Sequence, residues 1–353
     1  MKKTLAIKLV PDGTQEESLR KTAKIFRETC NWLSEKAFAA KQFNWIGLHK
    51  MAYKECRQAF PGFSSQLVVR AIGVVCDAYK LDRRSQREFH KETIVYDQRV
   101  LSWKDDHVSI WTVDGRLDVL VKVWNQTLFG RTKGQADLIH RNGKWILVVT
   151  VDAPEAVPVE PKGWLGVDFG IVNLATASDG TVFTGEKVER VRQRYFRHRQ
   201  RLQVRNTKSS RRRIRKIGNK EARFRKDVNH VISKGIVRRA KGTFYGIALE
   251  DLKGIRGRTT VRRAQRARHA GWAFAQLRQF TEYKATEAGI PVCVVPSKDT
   301  SKGCSACGHI DARNRKSQSK FCCMSCGHAE NADFNASKNI SHRAAVNQPI
   351  VVR

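Results

Sequence analysis

The sequence has no long apolar run and, for its length, few acidic residues. No stretch approaches the roughly 18 uninterrupted apolar residues of a membrane span, so we predict a soluble, intracellular protein without a membrane partner. The opening MKKTLAIKLVPDG starts like a secretory signal, but Lys8 interrupts its apolar run and Pro11 ends it. We therefore interpret residues 1–12 as a β-strand.

The shortage of acidic residues leaves a large positive charge. Only 33 Asp and Glu stand against 67 Lys and Arg in 353 residues, a formal net charge of +34. Such a chain repels itself unless a polyanion lies against it, which indicates a nucleic-acid partner. A membrane-surface protein or a merely basic soluble protein is the alternative. The charge is clustered, however, and clustering favours a binding channel.

The cysteines fall into two groups. Because an intracellular protein keeps its thiols reduced, the nine cysteines indicate metal binding or buried thiols rather than disulfides. Four of them stand singly in apolar surroundings and are predicted to be core residues. These are Cys30, Cys56, Cys76 and Cys293.

Two Cys-x2-Cys pairs separated by fifteen residues have the spacing of a zinc ribbon with four thiolate ligands. The predicted ligands are Cys304, Cys307, Cys323 and Cys326. Gly308 and Gly327 follow the two pairs at the same offset, and a pair that began at Cys322 would lose this register. Cys322 is therefore the spare cysteine. A closed site with four thiolates leaves no open coordination position, so the predicted zinc is structural.

Residues 13–90 have the pattern of a small helical bundle. Thr14 and Glu17 fit a capping box, and apolar residues then recur three or four apart, as on one face of a helix. These are Leu19, Ala23, Phe26, Cys30, Leu33 and Ala37. Two further helical stretches follow, LHKMAYKECRQAF and the segment after Ser64 or Ser65.

Residues 91–160 change to the period of a β-strand. The segment ADLIHRNGKWILVVTVD predicts two strands around an Asn142-Gly143 turn, a strong hairpin signal. Together with the strand at 1–12, this region predicts a small β-barrel. The helices of 13–90 would then be an insertion into that barrel.

Residues 161–353 alternate strands and helices. The order of three strands, helix, strand, helix, strand, helix is typical of an α/β domain. We divide it into a first part at 161–300, a cysteine-rich insertion at 301–328 and a last helix within 329–353. The first part includes basic helices at 189–240, broken near 206–210. The predicted fold class is therefore multidomain α+β.

Three acidic residues stand at strand ends and at a helix start. Asp168 and Glu250 each end an apolar strand, where a carboxylate is costly to bury alone. Asp333 begins the last helix, where capping would be an equally good reason for it. Hydrolysis of a phosphodiester by two Mg²⁺ ions about 4 Å apart needs carboxylates that converge from different elements. We predict such a site here, with three unrelated acids as the alternative.

The densest positive charge lies in residues 189–240. A solvated helix face is the usual explanation of a charge run, but SSRRRIRK has almost no acids to pair with, and aromatic residues interleave with arginines as along a nucleic-acid track. The predicted contacts are Arg194, Arg197, Arg211, Arg212, Arg213 and Arg215. A second basic stretch, KGIRGRTTVRRAQRARHAG, predicts a loop that lies over a polyanion beside the acids.

Several of these segments carry a family resemblance. GVDFGIVNLATASDG, IALEDLKGI, TSKGCSACGH with the second cysteine pair, and NADFNASKNI resemble the RuvC-type nuclease half of TnpB. TnpB is encoded by small bacterial and archaeal insertion sequences and is related to the type V CRISPR effectors. PDGTQEESLRKTAKIFRETCNWLSEKAF and FPGFSSQLVVRAIGVVCDAYK are similar to its N-terminal half. The resemblance thus covers nearly the whole chain.

The resemblance implies an RNase H-like nuclease domain whose catalytic, Mg²⁺-binding acids are Asp168, Glu250 and Asp333, with a zinc-binding insertion before the last helix. It implies a guide RNA derived from the transposon end, a double-stranded DNA target next to a short motif, and a monomer with its RNA in the cytoplasm, near the nucleoid. Base pairing would read the target sequence. An RNA-guided repressor, an RNA-stabilising protein, an unguided nuclease and a transposase remain the alternatives.

Overall fold

The computed structural model describes residues 2–123, 129, 132–252, 273–317 and 319–346. The chain divides into two compact units, one up to Pro154 and one from Glu155 onwards. In the described part of the chain, no helix is both long and apolar enough to span a membrane. The basic loop predicted from KGIRGRTTVRRAQRARHAG, residues 253–271, lies outside the described residues.

The described residues of the first unit include three bounded helices and seven strands. The helices are α1 (Gly13–Ala39), α2 (Trp45–Ala59) and α3 (Ser65–Leu81). The strands are β1 (Lys2–Val10), β2 (Thr93–Tyr96), β3 (Leu101–Trp103), β4 (His107–Thr112), β5 (Gly115–Lys122), β6 (Thr132–Arg141) and β7 (Lys144–Asp152). The helices occur between β1 and β2 in the chain, as predicted.

The apolar face predicted for α1 is buried, but its predicted cap is wrong. The helix begins at Gly13, and Asp12 is the N-cap. The Asp12 carboxylate accepts from the Gln15 backbone N–H at 2.8 Å, and the Gln15 side chain accepts from the Asp12 N–H at 3.2 Å. A carboxylate at the N-cap accepts hydrogen bonds from the free amides of the first turn. Its negative charge also interacts more favourably with the helix dipole than the hydroxyl of Thr14, two residues later, would. Thr14 instead donates to Asp12.

The seven strands form one antiparallel sheet in the order β2-β6-β7-β1-β5-β4-β3. The N-terminal strand is confirmed, and it pairs with both β7 and β5. The predicted hairpin is also confirmed, since Asn142 and Gly143 adopt φ of 54° and 70° between β6 and β7, as a two-residue turn requires. Within the described residues no pairing joins β2 to β3, so the barrel stays a prediction.

The described residues of the second unit include a five-stranded mixed sheet, a pair of short strands and four α-helices. Its strands are β8 (Trp164–Asp168), β9 (Asn173–Ala177), β10 (Val182–Thr184), β11 (Gly246–Glu250), β12 (Val292–Val295), β13 (Lys320–Cys322) and β14 (Ala329–Asn331). Its helices are α4 (Glu186–Arg205), α5 (Lys208–Thr243), α6 (Phe274–Glu287) and α7 (Ala332–Val346). The predicted element order is thus observed.

The sheet of the second unit runs β10-β9-β8-β11-β12. β8, β9 and β10 are antiparallel neighbours, whereas β8, β11 and β12 are parallel. Alternate residues of a strand point to opposite faces, and β11 shows this clearly. Ile247 and Leu249 belong to the apolar cluster with α5 and α6, while Ala248 belongs to the cluster with Ile340 of α7. Helices therefore cover both faces.

Helices α4 and α5 form the basic hairpin expected at 189–240. The chain breaks at Asn206, which adopts a left-handed φ of 45°, and Thr207 then caps α5 by accepting from Ser210 N–H at 3.1 Å. The predicted break is confirmed. Helix α4 has no buried residue, and an ion pair between Arg199 and Glu221 connects it to α5. The hairpin therefore presents side chains to solvent along most of its length.

Candidate functional site

Strand alternation and register bring Asp168 and Glu250 side by side. β8 and β11 are parallel, and Val167 is level with Leu249, so the next residue of each strand is also level. Asp168 shares the face of Gly166, and Glu250 shares the face of Ala248, two residues earlier in each strand. This face is covered by α7. Both carboxylates therefore lie at the carboxyl ends of parallel strands, on the side of the last helix.

Gly166 determines how close α7 comes to this edge. A Cβ at Gly166 would lie 2.0 Å from the Ser337 carbonyl oxygen and 2.5 Å from the Ser341 backbone nitrogen. The Ser341 hydroxyl donates to the Trp164 carbonyl oxygen at 2.6 Å. The backbones of β8 and α7 are thus in direct contact. Only glycine permits this approach, which brings the start of α7 to the two strand-end acids.

Asp333 lies in the first turn of α7 without being its cap. The Asn331 side chain accepts from the backbone N–H of Asp333 at 3.0 Å and of Phe334 at 3.2 Å. The capping explanation for Asp333 is therefore unnecessary. Its carboxylate instead accepts a hydrogen bond from the Asn173 side chain at 3.0 Å and lies 3.8 Å from the Arg315 guanidinium.

The three acids influence one another electrostatically. Burial raises the pKa of Asp168 well above its usual value, and the carboxylates of Glu250 and Asp333 raise it further, against the opposing effect of Arg315. Burial also raises the pKa of Glu250, which accepts a hydrogen bond from the buried Thr300 hydroxyl. Neighbouring carboxylates disfavour one another's ionisation. A bound divalent cation would offset this repulsion.

One compact set of potential metal ligands is found in the described part of the chain. Its members are three or more His, Cys, Asp or Glu side chains whose ligand atoms all lie within 4.8 Å of one another, and the set consists of cysteines. The oxygens of Asp168, Glu250 and Asp333 do not meet this condition.

Arg315, Thr300 and Asn173 were not predicted from the sequence. Arg315 lies between the two cysteine pairs and lowers the pKa of Asp168 and of Glu250. Thr300 and Asn173 bind the acids by hydrogen bonds. Asn173 lies within GVDFGIVNLATASDG and Thr300 within TSKGCSACGH, so the available signal for these two was their place in segments that resemble TnpB. The signal for Arg315 was its position between the two cysteine pairs.

The four predicted cysteines converge. The Sγ atoms of Cys304 and Cys326 are 3.7 Å apart and those of Cys307 and Cys323 are 3.6 Å apart, with all four within 4.8 Å of one another. Thiolates at 2.3 Å from a tetrahedral ion lie about 3.8 Å apart. The cluster thus has the dimensions of a metal site. Cys322 is on β13 and outside the cluster.

Each cysteine pair lies on the same kind of tight turn. The Gly308 N–H donates to the Cys304 carbonyl oxygen at 2.9 Å, and the Gly327 N–H donates to the Cys323 carbonyl oxygen at 3.1 Å. The two glycines adopt φ of 77° and 72°, a region that glycine occupies without strain. The N–H of Cys326 lowers the pKa of Cys323 to about 6. The pKa of Cys304 is raised by burial, and that of Cys307 is raised to about 12 by hydrogen bonds with neighbouring thiols, so one member of the metal-free cluster favours the thiolate more than these two.

The cysteine turns are joined to the helix that carries Asp333. The buried Asn335 side chain accepts from the Ser305 N–H at 2.9 Å and donates to the Gly303 carbonyl oxygen at 2.8 Å. Asn339, one turn further along α7, donates to the same oxygen at 2.7 Å. The cysteine cluster and the start of α7 are thus parts of one hydrogen-bonded assembly.

A groove of about 670 Å³ runs between α4 and α5. Its lining is strongly basic and includes the aromatic ring of Tyr195. The Arg194 guanidinium carbon lies 5.5 Å from the centroid of that ring. The residues are Arg190, Gln193, Arg194, Tyr195, Arg197, His198, Arg201, Arg213, Lys216, Ile217 and Lys220. Of the six predicted contact arginines, Arg194, Arg197 and Arg213 line the groove. Arg211, Arg212 and Arg215 are exposed elsewhere on α5, and Arg211 donates to Asn206.

Two family models match parts of the chain between residues 147 and 340. Residues 147–254 match the OrfB_IS605 family, described as a probable transposase, and residues 274–340 match the Cas12f1-like TNB domain. The first match includes Asp168 and Glu250, and the second includes the four clustered cysteines and Asp333. The chain therefore lies among proteins related both to transposon-encoded proteins and to the Cas12f group.

Curated relatives agree with this placement. InsQ of Escherichia coli K12, named as an RNA-guided DNA endonuclease, is 31% identical over 222 residues, which are 56% of this chain and 53% of InsQ. The endodeoxyribonuclease Cas12f1 of Sulfoacidibacillus thermotolerans is 41% identical over 129 residues, 36% of this chain and 29% of that protein. The aligned part thus spans about half or less of these relatives. The resemblance to TnpB is confirmed.

Solved structures show the same fold at low sequence identity. A Cas12f1 structure in complex with single-guide RNA and target DNA matches with a TM-score of 0.63 and 17% identity, covering 93% of this chain and 83% of that one. The mini-RNA-guided endonuclease Cas_phi3 matches with a TM-score of 0.60 and 9% identity, covering 99% and 93%. Multidomain α+β architecture, as predicted, is common to all three.

Proposed function

We propose that this chain is an RNA-guided DNA endonuclease that hydrolyses phosphodiesters with two metal ions held by Asp168, Glu250 and Asp333. The convergence of these three carboxylates at one edge of the sheet is the observation that carries the proposal. They come from two parallel strands and one helix, and they supply the oxygen ligands that Mg²⁺ prefers. Burial raises the pKa of Asp168, and the carboxylates of Glu250 and Asp333 raise it further. The observed α/β order supports the RNase H-like, RuvC-type assignment.

Each residue around the acids has a distinct part in this proposal. When bound, Mg²⁺ ions would activate the attacking water and stabilise the leaving oxygen. Asp168 and Glu250 hold ligand oxygens on adjacent strands, and Asp333 supplies the third carboxylate from α7. Thr300 and Asn173 orient Glu250 and Asp333 by donating hydrogen bonds. Arg315 supplies a fixed positive charge at the same edge, suited to a scissile phosphate.

The cysteine cluster is proposed to hold structural zinc. Four thiolates at tetrahedral spacing leave no open coordination position, and α7 is hydrogen-bonded to the turns that carry them. Zinc would therefore fix the position of Asp333. The whole insertion would then be a zinc ribbon, with its ligands on the two tight turns.

The proposed partners are a guide RNA and a double-stranded DNA target. The groove between α4 and α5 is lined by seven Lys and Arg side chains and contains no acid, which suits a phosphodiester backbone. InsQ is named as an RNA-guided DNA endonuclease, and a Cas12f1 structure contains single-guide RNA and target DNA. The guide would come from the transposon end, the cut would lie near a short target motif, and one protein chain would act with one RNA.

A cleavage assay tests the proposal. The chain is purified from cells that carry its flanking DNA, the associated RNA is sequenced, and a plasmid that matches the RNA is offered with Mg²⁺ or with EDTA. We expect one discrete RNA and cleavage with Mg²⁺ only. Glu250→Gln and Asp168→Asn should abolish cleavage and retain the RNA, because neither residue anchors phosphate in the bound complex.

Asp251→Asn is the matched control. Asp251 follows Glu250 directly but forms an ion pair with Arg278 at 3.0 Å instead of joining the acid cluster, so this variant should cut. Cleavage by Asp168→Asn would remove Asp168 from the mechanism. Guided binding without cleavage by the wild type would instead indicate an RNA-guided repressor, and strand joining would indicate a transposase.

A further inference from the structure

Three aromatic rings form a stacked ladder along α2, in the first unit. Trp45, His49 and Tyr53 are four residues apart, so they follow one another along one side of the helix. The ring centroids of Trp45 and His49 are 5.0 Å apart with 23° between the planes, and those of His49 and Tyr53 are 4.7 Å apart with 15°. Successive bases of a nucleic acid stack in the same face-to-face manner.

The ladder is half-buried at one end and exposed at the other. Tyr53 packs against the core of the first unit, whereas Trp45 is 44% exposed at the first position of α2. The Asn44 side chain caps the helix by accepting from the Gly47 N–H at 2.7 Å, which fixes the backbone beneath Trp45. The exposed indole is therefore held in place before any partner arrives, and little conformational entropy remains to be lost.

The surroundings of the ladder are positively charged. Lys50 and Lys54 are exposed on the adjacent stripe of α2, and the acidic residue of this helix, Glu55, is paired with Lys36 at 2.8 Å. An aromatic face beside cations is the combination that binds a base and its phosphate. A second copy of the chain is a poorer partner. A two-fold contact would bring the same lysines together, and the exposed apolar residues Trp45, Ile46 and Met51 cover far less than the roughly 800 Å² per partner of a stable interface.

We propose that the ladder is a stacking platform and that the outer face of Trp45 binds an unpaired nucleobase. The inference requires neither the acids nor the cysteines, so it goes beyond the proposed nuclease function and can hold if cleavage fails. The base can belong to RNA or to DNA, since every base has a π-face.

The test compares oligonucleotides with and without bases, with the full-length chain in EDTA. One probe is a short unstructured single strand containing 2-aminopurine, made as RNA and as DNA. The other has the same backbone with abasic residues. We expect Trp45→Ala to weaken binding of the base-containing probe roughly five- to hundredfold and to leave the abasic probe unchanged. The salt dependence should not change, because no phosphate contact is lost.

Two variants control for a purely structural effect. Trp45→Tyr retains a ring and should restore most of the binding, and Ile46→Ala removes a neighbouring side chain that is 63% exposed and should have no effect. Photocrosslinking of an iodouracil-containing strand, mapped by mass spectrometry, should identify Trp45. A preference for the RNA or the DNA probe would identify the source of the base.

Several results would overturn the proposal. Equal losses for the base-containing and abasic probes would mean that Trp45 acts through charge or folding. Crosslinks that never include α2 would place the base elsewhere. A Trp45→Ala variant that dissociates a dimer in sedimentation, with unchanged oligonucleotide binding, would show that the ladder contacts a second copy of the chain.

Discussion

The guanidinium of Arg315 lies 3.8 Å from the carboxylate of Asp333. A side chain between the two cysteine pairs thus reaches the acid cluster at the strand ends, and it opposes the rise in the pKa of Asp168 and of Glu250. The cysteine-rich insertion therefore contributes charge to the candidate site as well as holding α7 in position.

Removal of this charge should destabilise the protein when no metal is bound. Arg315 is 32% exposed and Asp333 14%, so their interaction is only partly screened by solvent. We expect Arg315→Ala in EDTA to lower the free energy of unfolding by about 1–3 kcal/mol. Arg313→Ala is the control, because Arg313 is 72% exposed in its pair with Asp311 and such pairs contribute little. Chemical denaturation measures both, and equal effects would contradict the assignment.

Asp168→Asn should stabilise the metal-free protein, increasingly so as pH rises. The folded-state pKa of Asp168 is raised, so the folded protein holds this proton more tightly than the unfolded chain. Below the pKa that Asp168 has in the unfolded chain, the stabilisation by Asp168→Asn is absent. It reaches its full size only above the pKa that Asp168 has in the folded protein. From pH 5 to pH 8.5, approximately, the melting temperature of the variant in EDTA should rise above that of the wild type by about 2 °C or more. Mg²⁺ should reduce this difference in melting temperature. A variant that melts below the wild type throughout this pH range would contradict the expectation.

The choice of cysteine ligands can be tested by metal analysis. Cys323→Ser removes a member of the cluster and should abolish zinc binding, whereas Cys322→Ser changes the neighbouring residue outside the cluster and should retain the metal. Elemental analysis of the purified proteins measures this directly. Because the thiolate site and α7 share hydrogen bonds, loss of zinc should also lower thermal stability. Zinc retained by Cys323→Ser and lost by Cys322→Ser would reverse the assignment.

Gly166→Ala tests the contact between β8 and α7. The added Cβ would meet the Ser337 carbonyl oxygen at 2.0 Å, so the helix must shift, at a cost of about 1–3 kcal/mol. The shift should also reduce stabilisation by Mg²⁺, since Asp333 moves with the helix. Gly218→Ala in α5 has nothing within 4 Å of the new Cβ and should be neutral or stabilising. If both substitutions behaved alike in thermal melts, the close approach would not matter.

The groove between α4 and α5 should bind phosphate through its lining arginines. Arg194→Ala with Arg197→Ala removes two groove residues, whereas Arg212→Ala with Arg215→Ala removes two exposed ones outside it. We expect the first pair to weaken RNA binding and to reduce the slope of log K against log salt by about 0.7–0.9 per contact. The second pair should change both much less. Equal effects of the two double variants would mean that RNA is attracted by the overall positive charge and is not bound specifically in the groove.

Much of the second unit was predictable because its signals are local. The period of two marks the strands, Asn206 interrupts the basic helices, and the spacing of the cysteine pairs alone identifies the four residues whose sulfurs converge. The three acids could be identified because strand ends and helix starts are visible in the sequence. Their convergence, however, follows from the parallel register of β8 and β11, which no local pattern encodes.

The wrong cap of α1 and the residues that were not predicted near the acids both concern contacts that sequence patterns do not report. The cap of α1 was assigned to Thr14 because its spacing to Glu17 fits a motif, yet Asp12 makes the stronger, charged contact with the helix dipole. Arg315 and Thr300 belong to irregular segments, and only the tertiary fold brings them to the acids. Sequence periodicity reports which face of an element is buried. It does not report which loop side chains meet there.

The acids of the candidate site come from widely separated parts of the chain, and Asp333 is synthesised last. The basic hairpin α4–α5 precedes it by about a hundred residues. A growing or truncated chain that ends before α7 would therefore carry the groove but neither the third acid nor the helix that packs against Gly166. Under the proposed function, such a fragment would bind nucleic acid without cutting it. The groove would thus be synthesised before the last proposed catalytic residue, and premature termination would yield a binding protein.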